Sequence, residues 1–147
     1  MGLVSTDRPD APLGYLLKHA QLRFFELGAA ALEPLGITGR EAAVLRAIAD
    51  RYPVSQGEIA AAMTVDRTTM VALIDDLQGK GLVRRRQDPD DRRKNAVELT
   101  EAGRDTVRRA ADAVERAERD FLRPLSAAEA AQLKAALHAL LDRSTTT

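Results

Sequence analysis

Apolar residues recur at helical spacing through most of the chain. Leu13, Leu16, Leu17, Ala20, Phe24, Leu27 and Ala31 fall on one stripe of a helix predicted from about Leu13 to Leu32, ahead of Pro34 and Gly36. Leu22 and Phe25 lie well off that stripe. A helix that is apolar on more than one side has a second surface to bury, either in one larger core or against another subunit. Residues 1–11 and the tail "STTT" carry no such pattern and read as frayed ends.

Helix starts are marked by capping boxes, in which a hydroxyl and a carboxylate three positions later satisfy each other's orphan backbone donors. "TGRE" at Thr38–Glu41 opens a helix to about Asp50, "SQGE" at Ser55–Glu58 a short one to about Met63, and "SAAE" at Ser126–Glu129 the last. The last helix has Leu133, Leu137, Leu140 and Leu141 as its stripe. Asp66 reads as the N-cap of a helix Arg67–Lys80, with Gly81 as its stop. Thr100 caps a long helix to about Leu122, striped by Val107, Ala110, Ala111, Val114, Ala117 and Phe121, before Pro124 breaks the chain. Between the last two of these, Leu82–Arg86 and Ala96–Leu99 are short and carry β-type residues around a polar, Pro-containing loop, which predicts a β-hairpin with an extended tip.

The expected fold is therefore mainly α with a small β-hairpin. A short helix, the turn "TV", a capped second helix and a hairpin follow one another in the order of a winged helix-turn-helix. On the second of these helices, Met70, Leu73, Ile74 and Leu77 face the core, while Arg67, Thr68, Val71, Ala72 and Asp75 face away. In this motif the first turn of the second helix enters a major groove. Here it offers Arg67, Thr68 and Thr69 to phosphates or base edges, and Val71 and Ala72 are small enough to allow close approach or to touch a thymine methyl. The same pattern also suits a solvated helix, or a helix-turn-helix that serves protein contacts.

Composition narrows the class. The chain has 147 residues, 45% of them hydrophobic and 30% charged, which suits one globular domain rather than a disordered segment. Without cysteine there is no disulfide, thiol switch or cysteine-bound metal. His19 and His138 lie on different helices with no nucleophile beside them, and "GKG" is a helix terminus, so neither an enzyme, a metal sensor nor a bound cofactor is expected. No apolar run approaches the ~20 residues of a membrane span, and "MGLVSTDRPD" lacks a signal-peptide core, so a cytoplasmic protein with no membrane partner is expected.

Net charge is zero, yet "RRRQDPDDRRKN" gathers arginines around a run of acids. What matters for nucleic acid is where the charge lies. Arg84, Arg86, Arg92 and Arg93 on a wing lie beside a duplex when the second helix occupies the major groove, and a tip arginine can enter the minor groove, where the potential is negative. Asp91 can hold Arg93 in place by a bidentate hydrogen bond, while Arg85 points the other way along the strand. The alternative is a set of solvated surface ion pairs worth ~0–1 kcal/mol each.

The stretches "LGITGREAAVLRAI", "SQGEIAAAMTVDRTTMVALIDDLQGKGLV" and "DPDDRRKNAVELTEAG" make the chain resemble the MarR family of transcriptional regulators over nearly its whole length. The last is the most specific, with its Asp-x-Arg at Asp91–Arg93, a strand ending in Leu-Thr, and then Gly. The resemblance implies a winged helix-turn-helix at 38–100 flanked by dimerisation helices at 1–34 and 101–143. It also implies a homodimer on a pseudo-palindromic DNA operator, and a small, often aromatic or anionic effector. For that effector His19, Arg23 and Arg46 are candidate contacts. Family members often carry polar or basic residues where this chain has Val71 and Ala72, which shifts weight toward recognition of DNA shape. The lack of cysteine sets the chain apart from the thiol-oxidised branch of the family. The rival expectation is a winged-helix protein-interaction module with no role on DNA.

Overall fold

The computed structural model describes residues 9–87, 90 and 95–142. Among them the helices are α1 (Leu13–Leu32), α2 (Gly39–Arg51), α3 (Gln56–Met63), α4 (Arg67–Gly79), α5 (Glu101–Leu122) and α6 (Ala127–Leu141). The strands are β1 (Val54–Ser55), β2 (Val83–Gln87) and β3 (Asn95–Leu99), and a single 3-10 turn, Glu33–Leu35, links α1 to α2.

All three capping boxes form as reciprocal pairs: Thr38 with Glu41, Ser55 with Glu58 and Ser126 with Glu129. Asp66 and Thr100 cap α4 and α5 by accepting from the N–H groups of Thr69 and Gly103, at 2.6 and 3.0 Å. The turn between α3 and α4 places Thr64 at φ 54°, a left-handed conformation that is strained for a β-branched residue. At the end of α4, Gly81 takes φ 73° and turns the chain into β2.

The predicted hairpin is part of a three-stranded antiparallel sheet in the order β1-β3-β2. The added strand pairs Val54 with Val97 and Ser55 with Ala96. Two residues are too few to show an alternating pattern, and Ser55 serves at once as strand residue and helix cap, so only the capping signal is visible in the sequence.

Val44, Leu45 and Ile48 of α2, Ile59 of α3, Met70, Ile74 and Leu77 of α4, and Val54, Val83 and Val97 of the sheet are all fully or almost fully buried in one cluster. Ala110 and Ala113 of α5 join it. Two ties lock its edges. Lys80 donates to the Gly36 carbonyl at 2.8 Å and to the buried Glu41 carboxylate at 2.7 Å, joining the end of α4 to the start of α2. Thr100 donates through its hydroxyl to the Gly81 carbonyl at 2.6 Å and through its N–H to that of Leu82 at 3.0 Å. At Gly103 an added Cβ would lie 1.9 Å from the Leu82 carbonyl oxygen. The Leu-Thr…Gly motif is thus a close-packed corner where α5 starts over the α4–β2 turn.

Three expected stripes are corrected. α1 packs along α5, with Phe24 edge-on to Phe121 at 5.4 Å, and its less exposed residues are the half-buried Tyr15, His19, Phe24, Leu27, Gly28 and Ala31 and the buried Leu32. Leu13, Leu16, Leu17 and Ala20 are exposed, as are Leu22 and Phe25. On α5 the buried positions are Gly103, Ala110, Ala113 and Ala117, while Ala111 and Val114 face outward. Of the α6 stripe, Leu137 is half-buried and Leu133, Leu140 and Leu141 are exposed, so that helix buries no residue. The physical reason is common to all three: each helix has more apolar surface than the described residues cover.

Candidate nucleic-acid interface

The exposed side of α4 begins at its cap. Arg67, Thr68, Val71, Ala72 and Asp75 are exposed, opposite the buried Met70, Ile74 and Leu77. Thr69 is half-buried and engaged at the cap. Its N–H, and secondarily its hydroxyl, hold the Asp66 carboxylate below the usual carboxylate range. One cation, one hydroxyl side chain, two small apolar residues and the Asp75 carboxylate therefore share a surface whose start is pinned by its cap.

Beside it, the arginines of β2 divide between the faces of the sheet. Arg84 and Arg86 point to one face, across the register from Glu98 and Ala96. Both reach Glu98: Arg84 through Nε, and Arg86 through Nη1 at 3.4 Å. Tyr52, from the loop after α2, donates its hydroxyl to the same carboxylate at 3.3 Å. Glu98 is nearly buried yet ionised below the usual carboxylate range. The Arg84 hydrogen bond is the main cause; the charges of Arg84 and Arg86 and the Tyr52 hydroxyl add to it, and burial opposes them. Arg85 points to the other face and bonds to Asp75 and Gln78 of α4 and to Gln56 at the start of α3.

The sequence reading missed Glu98 as the partner of Arg84 and Arg86, and Tyr52 as a donor to Glu98. The signal for Glu98 was present, since strand alternation puts it on the face of Arg84 once the hairpin register is known. For Tyr52, 46 residues away, no local signal exists. Asp91, Arg92 and Arg93 lie outside the described residues.

The candidate effector contacts do not converge. His19 stacks against Tyr15 with ring centroids 4.0 Å apart, Arg23 is exposed on the same helix, and Arg46 pairs with Asp50 at 3.5 Å on exposed α2 surface. Among the described residues no hydrogen bond or ion pair joins the three. A cleft of about 190 Å³ lies elsewhere, lined by Ala31, Pro34, Leu35, Arg109, Asp112, Ala113 and Arg116. The described residues include no cluster of three or more His, Asp or Glu suited to a metal ion, and no helix long and apolar enough to cross a membrane.

The family model described as "MarR family" matches residues 35–94, from the 3-10 turn to the wing. The HTH-type transcriptional repressor Rv2887 of Mycobacterium tuberculosis is 32% identical over 131 residues, which cover 89% of this chain and 94% of that protein. This chain belongs to the MarR family. Two solved MarR-family relatives were captured on DNA. The transcriptional repressor CouR bound to a 23-mer duplex superposes with a TM-score of 0.81 at 34% identity, covering 89% of this chain and 93% of that one. A cysteine-to-serine mutant of Escherichia coli MarR, complexed with operator DNA, gives 0.79 at 28% identity, covering 89% and 94%.

Proposed function

We propose that this protein is a transcriptional repressor that binds operator DNA as a homodimer, with α4 in the major groove and the wing along the flanking backbone. The observation that carries this is the exposed Arg67–Thr68–Val71–Ala72 surface at the capped start of α4, next to an arginine-rich strand. MarR-family relatives of the same fold bound to DNA support it. Arg67 and Thr68 meet phosphates or base edges, and Val71 and Ala72 permit close approach. Thr69 contributes through the cap, fixing the helix start. Arg84 and Arg86 meet phosphates in competition with Glu98, so the pair brings less than two full charges. Asp91, Arg92 and Arg93 are assigned to the wing tip on the family motif alone.

The dimer follows from α1 and α6, whose exposed leucines a second copy would cover. An anionic or aromatic effector is the remaining element of the proposal. The cleft between the end of α1 and the middle of α5, with Arg109 and Arg116 in its lining, suits one better than the separated His19, Arg23 and Arg46.

The test is the salt dependence of duplex binding by fluorescence anisotropy. Phosphate contacts predict log K falling with log salt at about −0.9 per phosphate neutralised, and Arg67→Ala should weaken binding by ~1–3 kcal/mol. Duplex binding indifferent to salt would favour the protein-interaction module.

A further inference from the structure

We propose that Arg85 is a positioning residue that fixes the angle of α4 against the wing and makes no DNA contact of its own. The proposal rests on the DNA-binding function above. Its guanidinium pairs through Nη2 with Asp75 Oδ1 at 2.6 Å and donates from Nη1 to Gln78 Oε1 at 2.7 Å. Its Nε and Nη2 both donate to Gln56 Oε1 at 3.3 Å. One planar group therefore joins three elements: β2, the second half of α4 and the first residue of α3. Only 28% of the Arg85 side chain is exposed, against 61% for Arg84 and 68% for Arg86.

The place of the grip gives it a function. Met70, Ile74 and Leu77 hold α4 to the core along one side and leave its opposite side unsupported. Asp75 and Gln78 lie off the core stripe on the exposed surface, about one and two turns past Val71. A fork attached there, and anchored to the sheet, resists the tilt that the core contacts alone permit. The rigid guanidinium suits this, because a lysine offers a point charge and cannot span three acceptors in fixed geometry. The pair also neutralises Asp75, a carboxylate on the side of α4 that would meet phosphates.

Base edges are recognised only at a fixed helix orientation, whereas phosphate attraction tolerates tilt. Losing the fork should therefore reduce discrimination and spare non-specific affinity. Two variants keep the local charge balance: Arg85→Lys, and the double replacement Arg85→Ala with Asp75→Ala. They would be compared with wild type on a duplex selected from a random-sequence pool by the wild-type protein and on a scrambled duplex of the same composition. Thermal melts would establish that each variant folds, and Gln78→Ala, which removes one surface acceptor, provides a milder variant with the same expected direction.

In both variants the ratio of selected to scrambled affinity should fall by about tenfold, the scale of one misaligned base contact. Scrambled-duplex affinity and its salt slope should stay at the wild-type values. An unchanged ratio in the double variant overturns the proposal. So does an equal loss on both duplexes with the salt slope flattened by about one, which would make Arg85 a phosphate contact. If wild type itself selects no sequence and binds without salt dependence, the DNA-binding function fails and the proposal fails with it.

Discussion

In the lobe formed by α2–α4 and the sheet, Leu45, Ile59, Met70 and Ile74 have no exposed surface. In the outer helices, Leu13, Leu140 and Leu141 keep 65%, 72% and 77% of theirs. Both regions use aliphatic residues at helical spacing, and α5 and α6 start on side-chain caps just as α2, α3 and α4 do. They differ in what lies opposite. In the lobe each apolar stripe meets another within the same chain, and the sheet closes the remaining side. Among the described residues, α1 meets α5 along one side but leaves Leu13, Leu16 and Leu17 uncovered, and α6 leaves Leu133, Leu140 and Leu141 uncovered. Local signals thus make a helix, while the presence of a partner surface decides whether its stripe becomes core. The lobe covers its own stripes; the outer helices leave theirs for the second copy that the proposed dimer would supply.

The largest effect should come from breaking the self-sufficient side. Leu45→Ala removes a fully buried side chain and should cost about 2–5 kcal/mol in denaturant unfolding. That loss should be the same at every protein concentration at which the assembly state is unchanged. The corner joining the two regions comes next. Gly103→Ala forces a methyl against the Leu82 carbonyl and should destabilise by about 1–3 kcal/mol, with a lower melting temperature as the readout. A wild-type melting temperature would mean that α5 is not clamped to the lobe at this point.

On the outer helices the prediction has a different signature. Leu133→Glu combined with Leu140→Glu should weaken self-association by tenfold or more, about 1.4 kcal/mol or above, in sedimentation at micromolar concentration. The lobe should stay folded, and wild-type unfolding should depend on concentration where the variant's does not. A variant that unfolds outright as a monomer would show that α6 supports the lobe and erase the contrast between regions.

The smallest effect is expected in acid. Asp66 and Glu98 both titrate below their ordinary values in the folded protein. Each therefore stabilises fully at pH above the ordinary carboxylate range, and the contribution is lost as pH falls through the depressed folded-state value. Glu98→Gln removes one such group, so its stability should decline less steeply with acidification than that of wild type. Denaturant midpoints across a pH series below neutrality provide the check, and parallel curves would show that Glu98 contributes nothing to the acid limb.

What could be read from the sequence follows the same division. The caps at Thr38, Ser55, Asp66, Thr100 and Ser126 are local motifs, each closed within one helical turn, so sequence spacing alone locates them. Met70, Ile74 and Leu77 could be read from their helical spacing, with Arg67, Thr68 and Asp75 marking the opposite side of α4. On α1 apolar residues occupy two sides, and only the contact with α5 shows that Phe24 and Leu27 turn inward while Leu16 and Leu17 do not. The wing's arginines were visible, yet their anchors were not all local. Glu98 required the strand register, Gln56 reaches Arg85 from 29 residues away, and Tyr52 reaches Glu98 from 46. The acids adjacent in sequence suggested a self-contained loop, whereas the described arginines are braced by β3, α4 and α3.

In the proposed complex the lobe reads DNA and the outer helices pair two lobes. Sedimentation equilibrium of wild type on a duplex selected from a random pool tests both at once. Two protomers per duplex are expected, on a site whose half-sites repeat about one helical turn apart, ~34–36 Å. A single protomer bound to a site without two-fold repetition would contradict the account.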